Sequence, residues 1–183
     1  MTEQVSSRAR WLLLTGRPGA GKTTAIREAV KGLNIRIGGF YTEEIRRGAS
    51  RTGFRIRTFD GRAVVLAHAD FPGSPRVGRY GVRLDALKEI AVPSLCNAIE
   101  SADLIVVDEI GKMELLCREF VDALGLASQS AKPVLGTILS AHHPIADGLK
   151  ASPFVQIQVI RPETRHAVLS ELREWLGGAV QCV

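Results

Sequence analysis

A three-layer α/β fold with a mainly parallel central sheet is predicted by three features of this 183-residue sequence. Short apolar runs without alternation, the pattern of strands covered on both faces, recur at 10–15, 104–107 and 133–139. Segments with apolar residues at helical spacing lie between them, and a glycine-rich turn joins the first run to the first helix. Between residues 35 and 82, β-branched and aromatic residues alternate with polar ones and are broken by Gly48, Gly53, Gly61, Gly73 and Gly78. That texture predicts an antiparallel hairpin extension. No repeat or linker divides the chain, so one domain over 1–183 is expected.

In order, the run at 10–15 predicts a strand that stops at Gly16. From Lys22, the apolar positions Ile26, Val30 and Leu33 predict a helix to Asn34. The hairpin section follows. Leu84, Leu87, Ile90, Leu95 and Ile99 then mark a helix that Pro93 bends or divides. After the strand at 104–107, Met113, Leu116, Phe120 and Leu124 mark another helix, and 133–139 gives a further buried strand. A connection containing the pair His142 and His143 leads to a last strand at 154–160. Val168, Leu169, Leu172 and Leu176 define the closing amphipathic helix.

Composition narrows the function classes. The chain is 45% hydrophobic and 23% charged, with a net charge of +5, enough apolar material for one core and too mild a basicity to demand a polyanionic partner. No run reaches the roughly 18–20 apolar residues of a membrane span, and the stretch beginning at Trp11 is too short for a leader core. A cytoplasmic protein with no membrane partner is expected. Cys96, Cys117 and Cys182 are odd in number and form no CxxC pair, which argues against a disulfide framework or a zinc knuckle. The adjacent histidines read as loop residues rather than metal ligands.

The motif Gly16-Arg17-Pro18-Gly19-Ala20-Gly21-Lys22-Thr23 fits G-x-x-x-x-G-K-[ST] without departure, and it sits where a strand ends and a helix begins. The glycines let the backbone curl so that successive N–H groups face one concavity, and the helix N-terminus adds positive potential there. Lys22 then reaches the β- and γ-phosphates, and the Thr23 hydroxyl ligates Mg²⁺. A phosphate cradle also needs an acidic partner. The run Leu104-Ile105-Val106-Val107 delivers Asp108 to the carboxyl edge of the sheet, where open α/β sheets bind ligands. Asp108 is the metal-side carboxylate. Glu109 leaves the strand on the opposite face, placed to accept a proton from the attacking water. Gly111 turns the chain, with Lys112 near the nucleotide. Thr137 either senses the γ-phosphate or is a satisfied strand-end hydroxyl; Arg165 either reaches the nucleotide or lies on the surface.

Together with the segments 39–46 and 77–80, the stretch Val107-Asp108-Glu109-Ile110-Gly111-Lys112-Met113-Glu114-Leu115 resembles the THEP1 family of nucleoside-triphosphatases over nearly the whole chain. The resemblance implies a RecA-like domain with an antiparallel extension and Mg²⁺-dependent hydrolysis of ATP, GTP and other nucleoside triphosphates with low base selectivity. It implies a nucleotide site formed by Gly16 through Thr23 and by Leu104 through Gly111. Thr164 stands where the pattern leads one to expect Asn, which weakens a role for Arg165.

The main rival is a small-molecule or nucleoside kinase, with Arg46, Arg47, Arg51, Arg55 and Arg57 as a flap over the transferring phosphoryl group. Glu109 argues against it, because a kinase excludes water. A nucleotide switch or RNA-stimulated ATPase comes third, since aromatics are 5% of residues and no stacking platform alternates with basic residues. Asn34 and Asn97 are followed by Ile and Ala, so there is no N-K-x-D guanine motif. A monomer is slightly favoured. Seven arginines from Arg36 to Arg62 face only Glu43, Glu44 and Asp60 there, a local +4.

Overall fold

The computed structural model describes residues 9–73 and 75–180, so Cys182 lies outside the described residues. Nine strands form one sheet: β1 (Trp11–Thr15), β2 (Ile37–Arg47), β3 (Ser50–Thr58), β4 (Ala63–His68), β5 (Arg76–Val77), β6 (Tyr80–Val82), β7 (Leu104–Ile110), β8 (Val134–Ile138) and β9 (Val155–Val159). Their order is β5-β6-β4-β3-β2-β7-β8-β1-β9. Pairings β2–β7, β7–β8, β8–β1 and β1–β9 are parallel, and β2–β3, β3–β4, β4–β6 and β6–β5 are antiparallel.

The helices are α1 (Lys22–Val30), α2 (Leu84–Ala86), α3 (Val92–Ser101), α4 (Arg118–Gln129), α5 (Pro144–Lys150) and α6 (Arg165–Val180). Alternate residues of the central strands feed two cores. Trp11, Leu13, Ile105 and Val107 pack with Leu95, Phe120 and Leu124 on the α3/α4 face. Leu12, Leu14, Leu104 and Val106 pack with Ile26, Val168 and Leu172 on the α1/α6 face. Strands that serve two cores have no polar face, which is why their runs do not alternate.

Five expectations change. The section 35–82 is not wholly antiparallel: Ile37 to Tyr41 pair parallel with Leu104 to Asp108, and only the remainder of β2 turns into the hairpin. Helix α1 ends at Val30 because Gly32 adopts φ 82°, which leaves Leu33 outside it and exposed. Pro93 does not divide its helix; a π turn over Leu87–Ala91 joins α2 to α3, and Pro93 falls within the first two residues of α3. Met113 and Leu116 precede α4, with Glu114–Leu116 in a short 3-10 turn. The stretch around His142 also carries a helix, α5. His143 caps it, its backbone N–H donating to the Asp147 carboxylate at 3.1 Å, and Pro144 fills a first-turn position that needs no N–H.

Candidate nucleotide site

The carboxyl ends of β1, β8 and β7 lie side by side, with β8 in the middle. The loop from Gly16 to Gly21 follows β1 and leads into α1. Gly19 at φ 81° and Gly21 at φ 93° occupy the left-handed region open to glycine. The Ala20 N–H donates to the Arg17 carbonyl at 3.2 Å, closing the loop on itself. Gly21 caps α1 without a side chain, and the first turn of that helix holds no acid. Its free N–H groups and positive end therefore meet no carboxylate of their own. The Lys22 ammonium folds over the loop and donates to the carbonyls of Gly16 at 3.1 Å and Arg17 at 3.3 Å.

Across β8, the acidic pair stands in two environments. Asp108 is 1% exposed, and its Oδ1 accepts the Thr137 hydroxyl at 2.6 Å. Asp108 Oδ2 is buried with no partner, and the Thr23 hydroxyl and the Lys22 charge act on the same carboxylate. Burial pushes Asp108 upward, against the Thr137 and Thr23 hydroxyls and Lys22. Glu109 faces the cleft. Burial and the Asp108 charge push it upward as well, opposed by Lys22.

The cleft in front of the loop is about 540 Å³. Its floor is Pro18, Gly19, Gly21, Lys22, Thr23 and Glu109, and the hairpin supplies its far wall through Thr42, Glu44, Arg46, Arg51 and Phe54. A recess of about 260 Å³ beside it joins Gly16, Lys22, Thr42 and Glu109 to Gly111, Lys112 and Glu114. Arg17 and Ala20 line a third hollow with Arg161 and Pro162 on the other side of the loop.

The expected site residues thus divide. Gly16, Pro18, Gly19, Gly21, Lys22 and Thr23 converge with Asp108, Glu109, Gly111 and Lys112, whereas Arg17 and Ala20, expected in the same set, face the hollow on the other side of the loop. Leu104, Ile105, Val106, Val107 and Ile110, expected among the nucleotide-binding residues, are all 0% exposed. Both faces of the strand are spent on the two cores, so these side chains hold the acidic pair from within. Thr137 is fully buried and satisfied by Asp108, so it orients the carboxylate rather than meeting a phosphate. Arg165 packs close to Gly21 and pairs with Glu28 at 2.8 Å, lining neither the cleft nor the recess. Sequence reasoning missed Thr42 and Glu114. Thr42 belongs to the site because β2 runs parallel to β7, a pairing no local pattern announces.

The NTPase family model matches residues 11–173. Nucleoside-triphosphatase THEP1 of Thermotoga maritima is 45% identical over 161 residues, which cover 88% of this chain and 92% of that protein. The chain belongs to the THEP1 nucleoside-triphosphatase family. Its fold agrees with the crystal structure of THEP1 from Aquifex aeolicus, with a TM-score of 0.81 and 34% identity over 88% of this chain and 96% of that one. The solution structure of a human cancer-related nucleoside triphosphatase matches at a TM-score of 0.79 and 33% identity, covering 93% and 99% of the two chains. This member of the THEP1 family is therefore an α/β protein of the phosphate-loop class. No helix among its described residues is long and apolar enough to cross a membrane.

Proposed function

We propose that the chain hydrolyses nucleoside 5′-triphosphates, ATP and GTP among them, to the diphosphate and inorganic phosphate with Mg²⁺. The observation that carries this reading is the convergence of an uncapped phosphate loop with a cleft-facing carboxylate, Glu109, in one cavity. The triphosphate lies along the loop N–H groups, and Lys22 exchanges the carbonyls of Gly16 and Arg17 for the β- and γ-phosphate oxygens. Water attacks the γ-phosphorus, its proton passes to Glu109, and the bond to the β–γ bridging oxygen breaks. The upward push on Glu109 makes it a stronger base than a solvated glutamate.

The orphaned, buried Oδ2 of Asp108 beside the Thr23 hydroxyl fits a hard divalent cation. Bound there, Mg²⁺ supplies neutralisation of charge on the β- and γ-phosphates. Thr137 keeps the other oxygen of Asp108 in place. The two described cysteines, Cys96 and Cys117, are free thiols, in keeping with a cytoplasmic setting.

Phosphate release from a panel of triphosphates with Mg²⁺ tests the reading. Turnover of several bases is expected, and Glu109→Gln and Lys22→Ala are each expected to slow it about 10²–10³-fold. Wild-type turnover in Glu109→Gln removes the water-activating role. A second reading, transfer to an acceptor, draws on Arg46 and Arg51 in the wall of the same cleft. Phosphoryl transfer to an added nucleoside faster than phosphate release would establish it.

A further inference from the structure

One cation in the far wall of the cleft has no part in the hydrolysis above. Arg51, near the start of β3, stands opposite Arg46 of β2 in the hairpin register, and both line the cleft with Lys22 and Glu109. Glu44 serves the two of them. Its Oε2 accepts Arg46 Nε at 2.9 Å, and its Oε1 accepts Arg51 Nη1 at 2.8 Å. One carboxylate does not cancel two guanidinium groups, so this corner of the cleft keeps a positive charge. Arg27, a third cation of the lining, is drawn aside: it pairs with Glu43 at 3.5 Å and lies over the Tyr41 ring.

The two hairpin arginines are not held alike. Arg46 has a side chain 54% exposed and is otherwise tied to the Ala49 carbonyl of the turn at 3.1 Å. Arg51 is 35% exposed and fixed from several sides. Its Nε donates to the Tyr80 hydroxyl at 3.2 Å, which in turn donates to the Arg51 carbonyl at 3.3 Å. The guanidinium carbon lies 5.1 Å from the centre of the Phe54 ring, and Phe54 itself lines the cleft. Stacking and hydrogen bonds thus set the plane of the fork before any ligand arrives. They use Nε and Nη1; the N–H groups of Nη2 meet no acceptor among the described residues.

A triphosphate with Mg²⁺ still carries negative charge, and in the transition state that charge is spread over the three equatorial oxygens of the γ-phosphoryl group. The loop N–H groups and Lys22 meet the phosphates from the floor of the cleft. We propose that Arg51 is a further catalytic residue, its preset guanidinium meeting the γ-phosphate oxygens from the hairpin wall and stabilising their charge in the transition state. This rests on the reading of the chain as a triphosphate hydrolase. No bond forms or breaks at Arg51. Because a diphosphate lacks the γ-phosphate, the contact tells the substrate from the product.

Two measurements with Mg²⁺ test the proposal on wild type, Arg51→Ala and Arg47→Ala, each checked for folding by thermal melting: steady-state phosphate release from ATP, and calorimetric affinity for the β,γ-imido analogue of ATP against ADP. Arg51→Ala is expected to lower kcat about 10²–10³-fold and to bind the analogue about tenfold more weakly, with ADP affinity within about twofold of wild type. Arg47→Ala removes the same charge from the same hairpin outside the lining of the cleft and recess, and it is expected to stay within about twofold in both measurements. Three outcomes overturn the proposal: wild-type kcat in Arg51→Ala, equal weakening for the analogue and ADP, or losses in Arg47→Ala as large as those in Arg51→Ala. Should Arg51→Ala fail to fold, Arg51→Gln, which keeps most of the stem over Phe54, decides the matter by the same measures. Absence of phosphate release from wild type is a separate failure, since it removes the hydrolase reading while the difference between the analogue and ADP still tests the contact.

Discussion

At the scale of single residues, the site is a set of charges whose environments push them apart. Lys22 is held on the loop it serves, Asp108 is locked by Thr137, and the side chains of Glu109 and the buried Glu114 close over the bare face of Gly111. Glu114 gives a stability test that needs no substrate. In the folded chain it keeps its proton to about pH 8, and in the unfolded chain it releases it near the ordinary 4.5. Across that window the folded state binds more protons, so this group makes the protein less stable as pH rises through it. Glutamine at 114 has no such slope. The melting temperature of Glu114→Gln minus that of wild type is expected to grow from pH 5 to 8 and level off above; a pH-independent difference would show that Glu114 ionises normally. The phosphate loop was legible in the sequence because its chemistry fixes four residue types at set places within eight contiguous positions. Glu114 stood inside a quoted motif, yet its burial is a property of the folded wall and left no local mark. Leu104 to Val107 show the other side of that limit: an apolar run identified the strand, and its side chains are spent on the two cores.

Among the elements, register decides which residues reach the cleft. Strand β2 brings Thr42 to the site because its first half runs parallel to β7, with Tyr41 opposite Asp108. Gly38 lets α3 come close to the same strand. A Cβ there would meet Ala98 Cβ at 2.5 Å and Ala102 Cβ at 3.1 Å, so α3 lies directly on the strand. Gly38→Ala is expected to lower the unfolding free energy by about 1–3 kcal/mol through overpacking, read from the midpoint of a urea transition. An unchanged midpoint would mean that α3 yields freely. Strands with two covered faces and helices longer than two turns were readable from periodicity alone. Helix α5, seven residues with Pro144 at its start, was not, since so short a segment offers one turn of pattern and two histidines that resemble a loop. The same limit hid the π turn at Leu87–Ala91: the sequence shows Pro93, but only the packing of the surrounding helices reveals that the chain widens instead of breaking.

For the whole molecule, the net charge of +5 acquires a location, and most of the cations there acquire partners. The seven arginines from Arg36 to Arg62 make a local +4 when counted along the chain. In the fold, Arg36 pairs with Asp103, Arg46 and Arg51 with Glu44, Arg57 with Glu43 and Arg62 with Asp60. Arg51 also lies over the rings of Phe54 and Tyr80. Such exposed pairs add little stability, but they set five of the seven cations against neighbouring carboxylates. Phe40 and Phe120 pack edge-to-face in the core, and Tyr41 and Phe59 pack on each other. A polynucleotide site combines a basic groove with free aromatic faces, and its binding weakens steeply with salt. Phosphate release is therefore expected to change less than about twofold when single-stranded RNA is added at 150 mM salt, where weak electrostatic association is screened. Stimulation that persists at that salt and is lost in Arg47→Ala/Arg55→Ala, the two arginines of the section without an ion pair among the described residues, would make the hairpin a nucleic-acid surface after all. Its absence leaves the hairpin as the far wall of the triphosphate cleft, where Arg46 and Arg51 already stand.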